Sequence, residues 1–126
     1  MKPFYIYTGF TLALLLTACG TDEDTTANST SNTPLIQWCM ETESQAICDC
    51  ADASLRAEAI KKDYEIYTSL APLYLEQRAS GASRVDAFDT ASAQIADEQS
   101  MTAGELRQIT NRIGMQHRAL IKVCSS

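Results

Sequence analysis

The sequence predicts an all-α fold, a small disulfide-stapled bundle of four to five short helices. Apolar residues recur at the three- and four-residue spacing of an amphipathic helix through most of the chain after residue 33. Several of these stretches follow a Ser or Thr with Asp, Glu or Gln three positions later, which is the pattern of a helix N-cap. No run of alternating β-branched or aromatic residues, the pattern of a strand, occurs outside the apolar N-terminal segment.

The first two predicted helices follow a change of composition at Thr33-Pro34. Proline is favoured at the first helical position, so a short helix is expected to run to about Met40. Thr42 and Gln45 have the form of a capping box and predict the start of a second helix. One apolar stripe of that helix contains Ile47, Cys48, Ala51 and Leu55.

The middle of the chain allows two interpretations. The second helix continues, or it breaks gently near residues 61–63. Helical spacing persists in either case, at Tyr64, Tyr67, Ala71 and Tyr74. Ser69 and Pro72 predict that a new helix begins near Ser69 and ends at Ser80-Gly81. Pro72 would then lie in a first turn, where its missing N–H costs little.

Two capping patterns predict the last helices. Ser83 with Asp86 predicts a helix whose core face carries Val85, Phe88 and Ile95. Thr102 with Glu105 is a second capping box and opens the final helix. The expected apolar side of the final helix consists of Leu106, Ile109, Ile113, Leu120 and Val123.

The N-terminal segment has the parts of an export signal. Lys2 gives a positive start, and an apolar stretch from Phe4 ends in Leu16-Thr17-Ala18-Cys19. This stretch is too short for a comfortable membrane-spanning helix of about 20 residues. The last four residues match a lipobox, so the segment resembles a bacterial lipoprotein signal. The resemblance implies cleavage after Ala18, diacylglycerol on the Cys19 thiol and acylation of the new amine, by palmitate or a similar chain.

The same resemblance divides the chain into three segments and implies a location in the cell envelope. Residues 1–18 would be the signal peptide, residues 19–33 the lipidated cysteine with a flexible acidic tether, and residues 34–126 the helical domain. The tether has too little apolar surface to offset the entropy of ordering it. Gly20 stands where Asp would retain a lipoprotein in the inner membrane. We therefore expect an anchor in the outer membrane, with the domain in the periplasm or at the cell surface.

Four cysteines remain when Cys19 is set apart, namely Cys39, Cys48, Cys50 and Cys124. An even number in an oxidising envelope predicts two disulfides. A bond between Cys48 and Cys50 would close a very small strained ring, and helical side chains two positions apart point about 200° apart. Two pairings remain. Because Cys48 lies on the apolar stripe, the pairs Cys39–Cys50 and Cys48–Cys124 are preferred over Cys39–Cys48 and Cys50–Cys124.

A few residues are candidates for binding. The three tyrosines of the middle segment form an aromatic stripe that belongs to the core or lines a groove for an apolar ligand or a partner. Gly114, inside the last helix, would let another helix approach closely, which predicts a small pocket nearby. The candidate binding residues are Tyr64, Tyr67, Tyr74, Asn111 and His117.

The net charge and the absence of known motifs reduce the number of functions to consider. The formal charge is −6, and no cluster of Lys and Arg with interleaved aromatics offsets it, so nucleic-acid binding is disfavoured. The Cys48-x-Cys50 motif lacks the paired Cys-x-x-Cys or His spacing of zinc sites and the βαβ context of thiol oxidoreductases. No nucleophile elbow, zincin motif or Walker loop occurs. We therefore expect no catalytic residue, no metal ligand and no cofactor.

Three hypotheses of function remain. The first is a non-catalytic binding, adaptor or inhibitor module that acts on another envelope protein while anchored to the membrane. The second is a thiol–disulfide or metal-dependent enzyme that uses Cys48 and Cys50. The third is a carrier of a small apolar ligand, held between helices near the tyrosines.

Overall fold

The computed structural model describes residues 32–126, so the expected signal peptide, the lipidation at Cys19 and most of the tether lie outside the described residues. Five helices make up this part: α1 Pro34–Cys39, α2 Gln45–Glu58, α3 Lys61–Ala79, α4 Arg84–Glu98 and α5 Ala103–Cys124. No strand occurs within residues 32–126, and the all-α fold is confirmed. By length and hydropathy, none of the five helices could cross a membrane.

Local capping begins three of the helices. The Thr33 side chain accepts a hydrogen bond from the backbone N–H of Ile36 at the start of α1. The Ser83 side chain caps α4 in the same way. At the start of α5, Thr102 and Glu105 form a complete capping box, with bonds of 3.2 and 2.7 Å. Each cap satisfies backbone N–H groups that a helix start leaves without partners. The capping predictions for α4 and α5 are therefore confirmed.

The start of α2 differs from the prediction. Its N-cap is Ser44 and not Thr42. Thr42 lies in the turn that ends α1, and its hydroxyl donates to the Cys39 carbonyl at 3.4 Å. That carbonyl also accepts backbone N–H groups from the turn. The threonine therefore helps to end one helix and does not begin the next.

Helix α3 is continuous, so the prediction of a new helix near Ser69 is wrong. Pro72 lies inside α3 and is exposed. A proline in a helix interior removes one backbone hydrogen bond and costs about 3 kcal/mol. The residues around it are buried at Leu70, Ala71 and Tyr74. Because burying a large side chain contributes about 1.5–3 kcal/mol, tertiary packing outweighs the local cost.

Helix α3 is the centre of the bundle and packs against each of the other four helices. The largest fully buried side chains come from α1 to α5 and include Ile36, Leu55, Leu70, Ile95, Leu106 and Ile113. Two expected core residues are exposed instead, because Val85 and Val123 are each 69 % exposed. On α4 the buried stripe runs through Ala87, Ala91 and Ile95, and Val85 lies about 200° from Ala87 around the helix. These small alanines let α4 approach α3 closely.

The disulfides join Cys39 to Cys48 and Cys50 to Cys124, so the preferred pairing from sequence is wrong and the alternative one is found. The Cα atoms of the two pairs are 5.8 and 6.0 Å apart, within the normal range. Cys48 is fully buried, as its apolar stripe predicts, but α1 covers it and forms a small core with Ile36. Cys50 faces outward, where the end of α5 reaches it. The last helix is therefore stapled to the exposed side of α2.

Candidate functional site

The three tyrosines of α3 do not form one surface. Tyr64 faces α2, where its hydroxyl donates to Asp52 Oδ1 at 2.8 Å and accepts from Arg56 Nε at 3.2 Å. Tyr67 and Tyr74 are buried in the main core. Because 67 and 74 are seven positions apart they share a helix face, whereas 64 lies on a neighbouring one. Tyr64 thus belongs to a polar contact between α2 and α3, apart from the other two.

Trp38 brings the remaining tyrosines into an aromatic cluster. Its ring centroid lies 4.7 Å from that of Tyr74, 5.5 Å from Tyr67 and 6.2 Å from Phe88. These are the centroid distances at which aromatic pairs stabilise each other. Trp38 and Phe88 are partly buried, so the cluster reaches the surface. The sequence predicted Phe88 only as a core residue and identified neither Trp38 nor Phe88 as a binding residue, because neither is close in sequence to the tyrosines.

A groove opens beside this cluster, between α4 and α5. It consists of two adjoining cavities of about 370 and 360 Å³, and Phe88 and Asp89 line both. We call it the α4–α5 groove. Its aromatic half includes Trp38, Tyr67, Tyr74, Val85, Gly114 and Arg118. Its polar half includes Ser92, Leu106, Arg107, Thr110 and Asn111.

Gly114 shapes the floor of the aromatic half. A Cβ atom at this position would lie 3.9 Å from Arg118 Nη1 and 4.0 Å from the Tyr67 hydroxyl oxygen. The missing side chain therefore leaves open space in the groove beside the buried Tyr67 hydroxyl and the exposed Arg118 side chain. The predicted close approach at Gly114 is of side chains and not of a helix backbone.

The pocket expected near Asn111 and His117 is only half present. Asn111 is exposed and lines the polar half of the groove. His117 is buried behind it and shares a hydrogen bond of 3.2 Å between its Nδ1 and the Tyr67 hydroxyl. Its Nε2 has no hydrogen-bond partner among the described residues. His117 thus supports the groove from the core and does not line it.

Burial controls the titration of this pair. Burial lowers the pKa of His117, the charge of Asp52 partly opposes that shift, and Arg118 adds to it. The ring is therefore held in its neutral form. Burial also raises the pKa of Tyr67 to about 12, against the smaller effect of Arg118. Neither side chain carries charge near neutral pH, which suits a supporting role.

Glu41 links three side chains beside the aromatic half of the groove. Tyr74 donates to Glu41 Oε2 at 2.6 Å and Arg78 Nε donates to Oε1 at 3.1 Å, while Arg84 Nε lies 3.5 Å from Oε2. Burial raises the pKa of Glu41, but the hydrogen bonds from Tyr74 and Arg78 outweigh it and leave the pKa below its ordinary value. One carboxylate therefore joins the turn after α1 to α3 and to the start of α4.

The cysteines and the acidic residues do not gather into a metal site. Among residues 32–126, no three His, Cys, Asp or Glu side chains are grouped as ligands. Cys48 and Cys50 belong to different disulfides, and Cys48 is fully buried. The α4–α5 groove is the concave feature with an aromatic floor and charged side chains at its edges, so it is the best candidate for a functional site.

Comparison of the chain with protein-family models, with curated proteins and with solved structures finds no match.

Proposed function

We propose that this chain is a lipid-anchored protein of the bacterial cell envelope whose helical domain is a non-catalytic binding module for another envelope protein. Support for the anchor comes from the lipobox Leu16-Thr17-Ala18-Cys19. Gly20, which follows the lipobox, favours the outer membrane as its location. Residues 19–33 would connect the anchor to the domain.

The observation that carries the binding function is the α4–α5 groove. Its two cavities of about 370 and 360 Å³ are each within the size range of binding sites, and aromatic rings form part of the floor. Val85 stands at its edge with 69 % of its surface exposed. Together with the aromatic floor, Val85 extends the apolar surface that a partner would cover.

The thiol–disulfide hypothesis is less well supported. A dithiol redox motif works by forming a bond between its own two cysteines. Cys48 is bonded to Cys39, and Cys50 is bonded to Cys124. A redox cycle would have to break a buried bond and a second bond that holds the end of α5. The disulfides are better explained as structural.

The small-ligand hypothesis also fits less well than a protein partner. Sites for small apolar ligands bury most of the ligand, by about 70–90 % of its surface. The groove is bordered by exposed side chains such as Val85, Asp89 and Arg107. An open groove with exposed side chains at its border is typical of a site that binds part of a polypeptide.

Site-specific cross-linking in the native envelope tests the binding function. A photoreactive amino acid replaces Val85 at the groove or, as the matched control, Met115, which is 64 % exposed and does not line the groove. We expect a reproducible stoichiometric adduct from position 85 and none from position 115. Adducts from neither position, at normal expression, would contradict a partner-binding function.

The anchor is tested separately. Mass spectrometry of the N-terminal peptide is expected to show a triacylated Cys19, and Cys19→Ala is expected to abolish both the acylation and the cleavage after Ala18. An unmodified cysteine in the membrane fraction would contradict the lipoprotein assignment, whatever the cross-linking shows.

A further inference from the structure

The arginines of the domain fall into two groups according to their ion pairs. Four of them lie within 4.0 Å of a carboxylate oxygen, namely Arg56, Arg78, Arg84 and Arg112. Arg107 and Arg118 have no ion pair with any of residues 32–126, and both line the α4–α5 groove. The two arginines whose charge no described carboxylate offsets are thus both in the groove.

These two arginines lie on one face of α5. They are 11 positions apart, which is three helical turns, so their Cα atoms are separated by about 16 Å along the axis and their side chains leave on the same side. Asn111 and Gly114 lie between them at steps of four and three residues, and they also line the groove. One face of α5 therefore presents a positive charge toward each end of the groove.

Apolar side chains lie along the groove between the two charges, together with the polar side chains of Asn111 and Asp89. Phe88 lines both halves, Trp38 adds its ring at one end and Leu106 adds an aliphatic side chain at the other. The charged side chains of the lining are Arg107, Arg118, Arg84, which is paired with Glu41, and a single carboxylate, Asp89. The groove is thus a positively charged site on a chain whose formal charge is −6. Charge complementarity of this kind selects an anionic partner and speeds its association.

We infer that the α4–α5 groove binds an acidic segment of a partner polypeptide, with apolar side chains between two acidic ends. This inference rests on the proposed binding function and names the chemistry of the partner. Acidic groups about 16 Å apart correspond to about eleven residues of helix or about five residues of extended chain. The apolar residues between them cover Phe88, while the ends pair with Arg107 and Arg118.

Two other anionic occupants match the groove less well. A fatty acid has a single charged head, so it neutralises only one of two arginines that are about 16 Å apart. The acids of the chain's own tether are contiguous at residues 22–24, and residues 21–33 contain no aliphatic side chain larger than alanine. The tether would therefore pair with one end and leave Phe88 uncovered.

Selection from a phage library of random 15-residue peptides tests the inference. The target is the mature lipidated protein in micelles of an uncharged detergent, with empty micelles for counter-selection. Affinities of the selected peptides are then measured by the fluorescence of Trp38, the single tryptophan of the chain, which lines the groove. We expect enriched peptides that are acidic at both ends and apolar between, and Arg107→Gln and Arg118→Gln each to weaken their binding about tenfold.

Matched variants separate the groove from general charge. Lys62 and Lys122 are exposed, have no ion pair with a described residue and lie outside the groove, so Lys62→Gln with Lys122→Gln removes the same charge elsewhere. Phe88→Ala tests the apolar part. Equal losses in the lysine and arginine pairs, or enrichment of neutral or basic peptides, would overturn the inference.

Two further outcomes also decide against it. Laurate that binds with dependence on one arginine only, with no enrichment of acidic peptides, would make the groove a site for an anionic amphiphile. Failure of the peptide selection while position 85 still cross-links to a protein would overturn the acidic-segment inference and leave the proposed function standing.

Discussion

The Tyr67 hydroxyl lies 3.2 Å from Nδ1 of His117, which is 50 positions later in the chain, and both side chains are buried. This hydrogen bond joins α3 to α5 directly behind the α4–α5 groove. A protonated imidazole at this place would carry a buried charge next to Arg118, which the charge of Asp52 offsets only in part. The fold is therefore sensitive to the protonation of one histidine.

The stability of the domain is expected to fall as the pH is lowered below about 6.5. Burial lowers the pKa of His117 in the folded state, so the unfolded chain takes up a proton at a higher pH than the folded one. The contribution of His117 is thus present above pH 6.5 and is lost as the pH falls toward its folded-state pKa. Urea unfolding at several pH values between 7.5 and 5 measures this slope.

His117→Asn is the control for that slope. Asparagine keeps a polar group near the Nδ1 position but does not titrate. The variant should be less stable at pH 7.5, and its stability should change less between pH 7.5 and 5. An unchanged slope in the variant would assign the pH dependence to other groups.

Digestion before Asp49 distinguishes the two disulfide pairings, because this residue lies between Cys48 and Cys50. An endoproteinase that cleaves before aspartate should release residues 24–48 with an internal bond, and residues 49–51 linked to residues 97–126. The pairing preferred from the sequence, Cys39–Cys50 with Cys48–Cys124, would instead link all three peptides. Mass spectrometry of the unreduced digest decides between them.

Loss of the Cys50–Cys124 bond should reduce the free energy of unfolding more than loss of the Cys39–Cys48 bond. The bonds span 74 and 9 positions, and the chain-entropy relation gives about 4.5 and about 2.5 kcal/mol. Double alanine variants at each pair, compared by urea unfolding, measure the difference. An equal loss would indicate that the buried packing of Cys39 and Cys48 offsets their shorter loop.

Local features of the fold were predictable, whereas contacts between distant segments were not. The caps at Ser83 and Thr102 depend on residues three positions away, so the sequence contains the whole interaction. The partner of Cys48 depends on which helix covers its face, and helical periodicity reveals a buried face without naming its neighbour. The sequence places Pro72 in the first turn of a new helix, where proline is locally preferred. In the structure it lies inside α3, because the burial of its neighbours outweighs that local preference.

The candidate site also depends on contacts between distant segments that the sequence does not reveal. Asn111 and the tyrosines were identified by type and spacing, but Trp38 joins the site through contacts with Tyr74, 36 positions away. The spacing of Arg107 and Arg118 is visible in the sequence. Whether these two arginines differ from the others depends on which arginines have carboxylate partners. The partners of Arg78 and Arg112 lie on other elements, so the sequence does not reveal them.

Glu41→Gln should destabilise the domain by about 1.5–3 kcal/mol at neutral pH, because it weakens charge-assisted bonds from Tyr74 and Arg78. The folded-state pKa of Glu41 is lowered, so its contribution is present above about pH 4.5 and is lost as the pH falls through the folded value. The difference between wild type and variant should therefore shrink in acid. Thermal unfolding at pH 7 and pH 3.5 tests both parts, and a constant difference would contradict them.

Gly114→Ala should make the domain more stable and its groove less effective. Glycine in a helix interior costs about 1 kcal/mol relative to alanine, and the new Cβ would make ordinary contacts of 3.9 and 4.0 Å. A gain of that size raises the melting temperature of a domain this small by about 4–8 °C. The added methyl group also occupies the groove floor between Tyr67 and Arg118, so acidic peptides should bind more weakly.

Gly104→Ala provides a comparison at the first turn of α5, since Gly104 is helical, has room for a methyl group and does not line the groove. It should raise stability without a change in peptide affinity. If both variants gain stability and only Gly114→Ala loses affinity, the glycine is retained for binding at the expense of stability. Equal affinity in the two variants would show that the ligand does not reach the groove floor at Gly114.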